Sequence, residues 1–359
     1  MRELTGVPRS WTVEQGRDPV VELPPADPAW AALAEATPGA TVFHLPAWSR
    51  VIADTYGYRA AVLSELDDAG RVVAGLPAMR VRRPGGTAWV SLPFSDHCPP
   101  LARDEASLRR LAARLVGWSE RERAPLEVRG ALPPVPGWNA AVIGVRHVLR
   151  LDSDLDGIRR RFSRGHRDRL KQAERGSLRV RLGRSADDLR AFYRLQVLTR
   201  RRQGVPVQPR RFFAAIWEHV IAAGLGVIAL VETPEGRAVA GAVMFAWNGT
   251  AIGKFQASDA AHWRQRPNHL LYWAAIRWAA EGGSRELDLG RSEAGHAGLQ
   301  EFKAGWGGQA VPLTYAVTGG DGPALAGHGR VQSLLGPVIR HSPAFVCRAT
   351  GALLYRYAG

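Results

Sequence analysis

The chain has 359 residues, a formal net charge of +15, 46% hydrophobic residues and 12 Trp, which excludes a disordered or low-complexity protein. Two cysteines, Cys98 and Cys347, form no CxxC pair and exclude a disulfide framework. No apolar run reaches the roughly 18–20 residues of a membrane span, and Met1–Trp11 has no apolar signal core, so a cytoplasmic protein of about two domains is expected.

In chain order, LPAWSRVIADTYG (45–57) has a helical spacing. A strand at Arg59–Leu66 turns through Asp67–Gly70 into a hairpin partner at Arg71–Val81. A further strand at Ala88–Leu92 runs into the loop PFSDHCPP (93–100), followed by a helix over Asp104–Glu120 and a short strand at Leu126–Arg129. The Pro-rich ALPPVPGW (131–138) is the clearest linker signal.

Beyond it, IRRRFSRGHRDRLKQAER (158–175) carries only a narrow apolar stripe of Ile158, Phe162, Leu170 and Ala173, and is expected to be a basic helix. A strand at Leu178–Leu182 precedes Ser185–Asp188, a capping-box start for a helix that stops at Gly204-Val205-Pro206. A second helix runs from about Arg210 to Gly224. Strands at Val227–Glu232, Ala238–Trp247 and Thr250–Ala257 follow, the last two joined by the hairpin signal Asn248-Gly249. Asn268 is read as the N-cap of a helix to Ala280, with a ligand contact as the alternative. A strand at Glu286–Leu289, a short helix around Leu299–Ala304 and a strand at Val311–Ala316 close the series.

The charge is concentrated. Residues 158–211 hold 18 basic and four acidic residues, net +14, leaving +1 for the rest of the chain. Such a segment is a docking face for a polyanion, whether RNA, a diphosphate-bearing lipid or nucleotide, or an anionic membrane; a merely solvated helix is the alternative. Its candidate contacts are Arg159, Arg160, Arg161, Arg164, Arg167, Arg169 and Lys171.

The order of elements, together with SLPFSDHCPPL (91–101), RGHRDRLKQAERG (164–176), TRRRQGVPVQP (199–209), RPNHLLYWAAIRWAAEGG (266–283), LDLGRS (287–292) and GLQEFKAGWGG (298–308), resembles the double-domain branch of the GNAT acyltransferases. That branch comprises the Fem-like peptidoglycan-bridge aminoacyl transferases and their BioF2-like acetyltransferase relatives. The resemblance implies an α/β fold with mixed sheets and tandem GNAT-like domains. These are placed at 1–135 (acceptor side) and 145–318 (acyltransferase, with the basic helix 158–175), followed by a helical tail over 319–359. It also implies transfer of an acyl or aminoacyl group to an amine or hydroxyl of a cell-envelope precursor, lipid-linked or not, or of a natural-product acceptor.

The donor implied is aminoacyl-tRNA, with tRNA as partner of the basic segment. FQASDAAHWRQRPNH (255–269) lacks the glycines that ordinary GNAT enzymes use to cradle the coenzyme A pyrophosphate. An acetyl-CoA-dependent N-acetyltransferase of polysaccharide or small-molecule biosynthesis stays open as the alternative, with Arg264 and Arg266 supplying charge.

By the same resemblance Lys303, one of three lysines in the chain, stabilises the oxyanion and Phe302 packs beneath it. Asp288 orients or deprotonates the acceptor, or else builds a turn on Gly290. Arg291 binds phosphate; of Arg200, Arg201 and Arg202, Arg201 or Arg202 reaches a substrate phosphate while at least one of the three is solvated; and Ser95, Asp96 and His97 line the acceptor cleft. A Cys98 nucleophile is disfavoured, since adjacent residues rarely form a dyad, and no histidine spacing calls for a metal. The tail, with VQSLLGPVIRHSPAF and LLYRY, packs on the core or touches a membrane peripherally.

Overall fold

The computed structural model describes residues 20–83, 86–293, 295–319 and 335–357. Its strands are β1 (Val21–Leu23), β2 (Arg59–Leu66), β3 (Val72–Arg83), β4 (Gly86–Val90), β5 (Leu101–Ala102), β6 (Leu126–Val128), β7 (Trp138–Arg150), β8 (Arg179–Gly183), β9 (Gly226–Glu232), β10 (Ala238–Trp247), β11 (Thr250–Ser258), β12 (Glu286–Ser292) and β13 (Gln309–Thr318). The helices are α1 (Pro28–Ala36), α2 (Pro46–Tyr56), α3 (Glu105–Glu122), α4 (Leu155–Arg160), α5 (Arg164–Glu174), α6 (Ala186–Gln203), α7 (Arg210–Ile216), α8 (Pro267–Glu281) and α9 (Ala297–Ala304), with a C-terminal helix at Ala344–Leu354.

All 13 strands join one mixed sheet in the order β1-β2-β3-β4-β6-β13-β7-β12-β11-β10-β9-β8, with β5 on β3. Among the described residues two pairings are parallel, β4 with β6 and β11 with β12. Each is bridged by a helix, α3 and α8, because a parallel return needs a crossover. Two similar units thus repeat a β-α-β crossover at corresponding places. The last strand, β13, enters between β6 and β7 and is antiparallel to both, so the sheet runs without interruption through the segment read as a linker.

A shared core reinforces the joint. Trp48 of α2 lies edge-on to Phe212 of α7 and Phe245 of β10, with ring centroids 6.1 and 5.6 Å apart. Such aromatic pairs contribute about 0.5–1.5 kcal/mol beyond simple burial.

Most elements fall where periodicity places them, but four features do not. β7 was not foreseen: Asn139–Val142 are exposed, so the strand opens without the one-sided apolar alternation that marks a half-buried strand. β1 and α1 were likewise unread. The basic stretch 158–175 is two helices, because Phe162 turns into an aromatic cluster against Trp273 and Trp306 and Ser163 starts a new helix by accepting from His166 N. Asn268 is not an N-cap; it lies inside α8, whose cap position is Arg266 in a left-handed conformation with no side-chain cap. Pro267 has no N–H and His269 N donates to Arg266 O (3.0 Å), so of the first three helical positions Asn268 N is the one left without a side-chain cap.

The +14 segment is also less bare than its sequence. Arg159 grips Glu174 (2.6 Å), Arg160 pairs with Asp154 (2.9 Å), Arg161 with Asp152 (3.3 Å), and Arg164 with Asp168 (3.8 Å). Arg167 donates to the Arg160 and Phe162 carbonyls. Acids lying just before residue 158 thus neutralise part of the charge, and Arg169 and Lys171 remain exposed without an ion pair among the described residues. No described helix is long and apolar enough to cross a membrane.

Candidate active site

β11 and β12 pair only over Thr250–Ile252 and Glu286–Asp288; beyond that point they part. β12 bulges against β7 between Asp288 and Arg291, and Gly290 takes φ +81°, a left-handed conformation suited to glycine. The parting of the two strands forms a wedge, with Lys254, Asp288, Gly290 and Arg291 on the stretches of β11 and β12 that bound it.

α9 places Lys303 at this wedge. The side chain is 3% exposed, and Nζ donates to the carbonyls of Gly290 (2.8 Å) and Arg291 (2.9 Å). An ammonium has three donors, so one N–H remains for a ligand. Burial lowers its pKa to about 8, against the pull of Asp288 and Asp96. Asp288 is buried, accepts from Gly290 N (2.7 Å) and Arg146 (3.2 Å), and burial raises its pKa. The turn on Gly290, the alternative read for Asp288 from sequence, is thus formed.

The opposite wall comes from the other unit. In the β4–β6 crossover the loop after β4 is stitched across the strand ends: Ser91 Oγ donates to Cys98 O (2.9 Å), Arg129 N donates to Ser91 Oγ (2.7 Å), and Cys98 N donates to Arg129 O (2.7 Å). Leu92 and Phe94 adopt positive φ values of 49° and 62° to make the loop this tight. Closing that crossover pushes Asp96 across the joint, where its carboxylate accepts from Lys254 (2.9 Å) and its carbonyl from Tyr315 Oη (3.0 Å). Burial alone would raise the Asp96 pKa, but Lys254, Arg291 and Arg129 outweigh it and hold the group ionised. Two carboxylates with opposite shifts therefore face one wedge, an arrangement that separates acid–base roles.

Arg146, Arg129, Lys254 and Tyr315 were missed from sequence. Arg146 belongs to the unread β7; the others stand in ordinary strand patterns, although Lys254, as one of three lysines, carried a signal.

Residues 159–304 match the family model described as an acetyltransferase (GNAT) domain. Over those residues the chain carries a GNAT-type acetyltransferase domain. The chain shares its fold with FemX (15% identity, TM-score 0.65, covering 80% of this chain and 94% of that one). The same holds for L-PGS from Bacillus licheniformis (13%, 0.56, 88% and 98%). A tandem GNAT protein from the clavulanic acid biosynthesis pathway is also similar (15%, 0.52, 84% and 99%). No curated protein matches at a significant level.

The remaining expected residues are placed as follows. Ser95 is buried and its hydroxyl turns back onto Leu92 O (2.6 Å). His97 stands by Arg146 and His44, and burial depresses its pKa to about 3. Phe302 lies among His166, His269, Tyr272 and Trp306, one residue from Lys303. Arg291 reaches Glu293 at 3.7 Å while its Nε has no hydrogen-bond partner. Arg202 donates to Ser258 O and lies over Trp263, 4.6 Å from the ring centroid. Arg201 keeps a buried Nε without a partner. Burial pushes the Cys98 thiol up, so it holds no thiolate. Among the described residues no group of three or more His, Cys, Asp or Glu is placed to hold a metal.

Two buried imidazoles, His44 and His269, make the fold sensitive to acid. His44 Nδ1 accepts from Thr41 N (2.9 Å), which leaves Nε2–H to donate to Pro99 O (3.0 Å) and fixes the neutral tautomer. Burial depresses both His44 and His269 to about 4. Since an unfolded histidine titrates near 6.5, the unfolded chain binds protons that the folded one refuses. Stability contributed by these groups is present above pH 6.5 and is lost as pH falls towards 4. The thermal midpoint is expected to drop steeply between pH 6.5 and 4, and His44→Asn should flatten part of that drop; equal slopes for both proteins would contradict the assignment.

Proposed function

We propose that the enzyme transfers an aminoacyl group from aminoacyl-tRNA to an amine of a cell-envelope or natural-product acceptor, with the reacting carbonyl in the β11–β12 wedge. The observation that carries this reading is the Lys303 ammonium, held by two carbonyls between Asp288 and Asp96 with one N–H to spare. In the reaction the acceptor nitrogen attacks the ester carbonyl carbon and Lys303 stabilises the negative oxygen that develops. Asp288, its affinity for a proton raised by burial, takes the proton from nitrogen. The carbon–oxygen ester bond then breaks, and that proton goes to the departing ribose hydroxyl. Asp96 and Arg291 position the acceptor, the latter as a phosphate contact.

The donor assignment rests on the loop before α8. Instead of a glycine nest it forms a tight turn over Ala260–Gln265, and the Asp259 carboxylate accepts from Ala261 N (3.0 Å). A carboxylate on those N–H groups opposes a diphosphate there. Trp263, 44% exposed and backed by Arg202, offers a stacking face for a terminal base. Arg169 and Lys171 supply exposed charge for the RNA backbone.

The uncapped α8 N-terminus favours a second reading, an acyl-CoA donor, because such a terminus attracts phosphate. The two are separated by supplying tRNA charged with radiolabelled amino acids and an extract of lipid-linked envelope precursors. Label is expected in an RNase-resistant product, with RNase pretreatment abolishing it. Product formation that survives RNase, together with calorimetric binding of acetyl-CoA, would replace the tRNA donor by coenzyme A.

A further inference from the structure

The C-terminal helix Ala344–Leu354 is held to the body by one narrow stripe. Cys347 and Gly351, one turn apart, are buried, and a Cβ at Gly351 would collide with the Val207 carbonyl. Val207 N donates to Cys347 O (3.4 Å), Tyr355 Oη to Pro206 O (3.1 Å), and Tyr58 Oη to Arg356 O (2.6 Å). This seating fixes which face of the helix points away from the protein.

The outward face is apolar. Phe345, Ala349, Ala352 and Leu353 follow the i, i+4, i+7, i+8 spacing of a single helical stripe, and all are exposed. Phe345 is 61% and Leu353 66% exposed, with Val338 and Tyr357 extending the patch at 55% and 49%. Its rim is basic: Arg340, Arg348 and Arg356 lie along it, and residues 335–357 contain no Asp or Glu. Beside the stripe is a cavity of about 400 Å³ bounded by Tyr193, Pro209, Arg210, Arg348, Ala349 and Ala352. Neither Arg210 nor Arg348 forms an ion pair among the described residues, so two unpaired guanidinium groups share one recess with the edge of an apolar face.

We propose that this face docks on an anionic lipid bilayer, with the Phe345–Leu353 stripe entering the acyl boundary and the Arg210–Arg348 recess seating a lipid phosphate. An apolar helix face bordered by cations and free of acids matches the chemistry of an anionic interface, where apolar burial and headgroup attraction add. Two guanidinium groups in one recess fit a phosphate monoanion. The seated side of the same segment touches the acceptor loop: the Tyr355 ring is 6.0 Å from that of Phe94, which opens the Ser95-Asp96 segment, so a docked helix would be tied to that loop. The proposal is independent of the donor and holds for either reading above.

The test is co-sedimentation of the full chain with phosphatidylglycerol–phosphatidylcholine vesicles and with pure phosphatidylcholine vesicles. Binding is expected on the anionic vesicles and at least about tenfold less on the neutral ones. Phe345→Ser/Leu353→Ser and Arg210→Glu/Arg348→Glu should each lower anionic-vesicle binding about tenfold without moving the thermal midpoint. If neither double variant changes binding, or the unaltered protein stays in the supernatant, the proposal fails. It also fails if light scattering finds a dimer that Phe345→Ser/Leu353→Ser dissociates, since a second copy then covers the face. Loss of tRNA binding by Arg210→Glu/Arg348→Glu with vesicle binding intact would make the recess an RNA contact instead. Should the apolar variant not fold, added NaCl serves with the unaltered protein: binding indifferent to salt would remove the phosphate seat.

Discussion

Lys303→Met is expected to lower kcat for acyl transfer by about 10²–10³-fold, the usual cost of removing one donor aimed at a developing oxyanion. Methionine fills the channel but returns no charge, and it leaves the Gly290 and Arg291 carbonyls without their donor, a loss of about 1–3 kcal/mol. The thermal midpoint should therefore fall modestly while transfer almost disappears. A structural lysine would give the reverse proportion. The pH profile adds a readout that folding alone does not move. Burial brings Lys303 down to about 8, so the charged form is lost as pH rises through that value, and the single-turnover rate should fall above pH 8. Lys303→Arg, which stays charged, should remove that alkaline limb even if its rate is low. A profile that stays flat to pH 10 in the unaltered enzyme would take Lys303 out of the oxyanion role.

Lys254→Met should cost about 3 kcal/mol of stability, because truncating one partner of a buried pair strands the other charge. The lysine side chain is 6% exposed and Asp96 34%, so the loss belongs at the lower end of the range for buried pairs, with Arg129 and Arg291 still facing the carboxylate. The expected cycle is specific: Asp96→Asn added to Lys254→Met should restore much of the lost stability, since no charge is then stranded. Denaturant midpoints of the four proteins measure the coupling, and strict additivity would mean that the pair across the joint contributes nothing. Transfer activity should remain low in the double variant, because the acceptor wall has lost its anion.

Much of the C-terminal unit was legible because its signals are local. The Asn248-Gly249 turn, the Ser185–Asp188 capping box and the Gly204 stop each act within a few residues, and all three stand as read. The site was legible only in part. Lys303 stood out through its rarity and Asp288 through its place near the end of a predicted strand, which in the structure runs on to Ser292. Arg146 was hidden in β7, a strand whose first residues face solvent on both sides and so lack period-two alternation. Asn268 was misread because an Asn before an apolar run is a cap in most sequences; here Pro267 starts the helix one residue earlier and Arg266 takes the left-handed cap position. The basic segment 158–211 was counted without the acids that fold against it, Asp152, Asp154 and Glu232 among them.

The sequence by itself determined the elements, the two-unit pattern and a short list of polar residues, since hydrophobic period, turn chemistry and capping are properties of neighbouring residues. Only the tertiary structure decided that the two units share one sheet through β13, that one crossover is stitched closed while the other parts at Gly290, and that Asp96 from the first reaches Lys254 from the second and acts through its charge on Lys303. Those are contacts between residues far apart in the chain. Their energy depends on burial and on the distance between charges, and neither exists until the chain has folded.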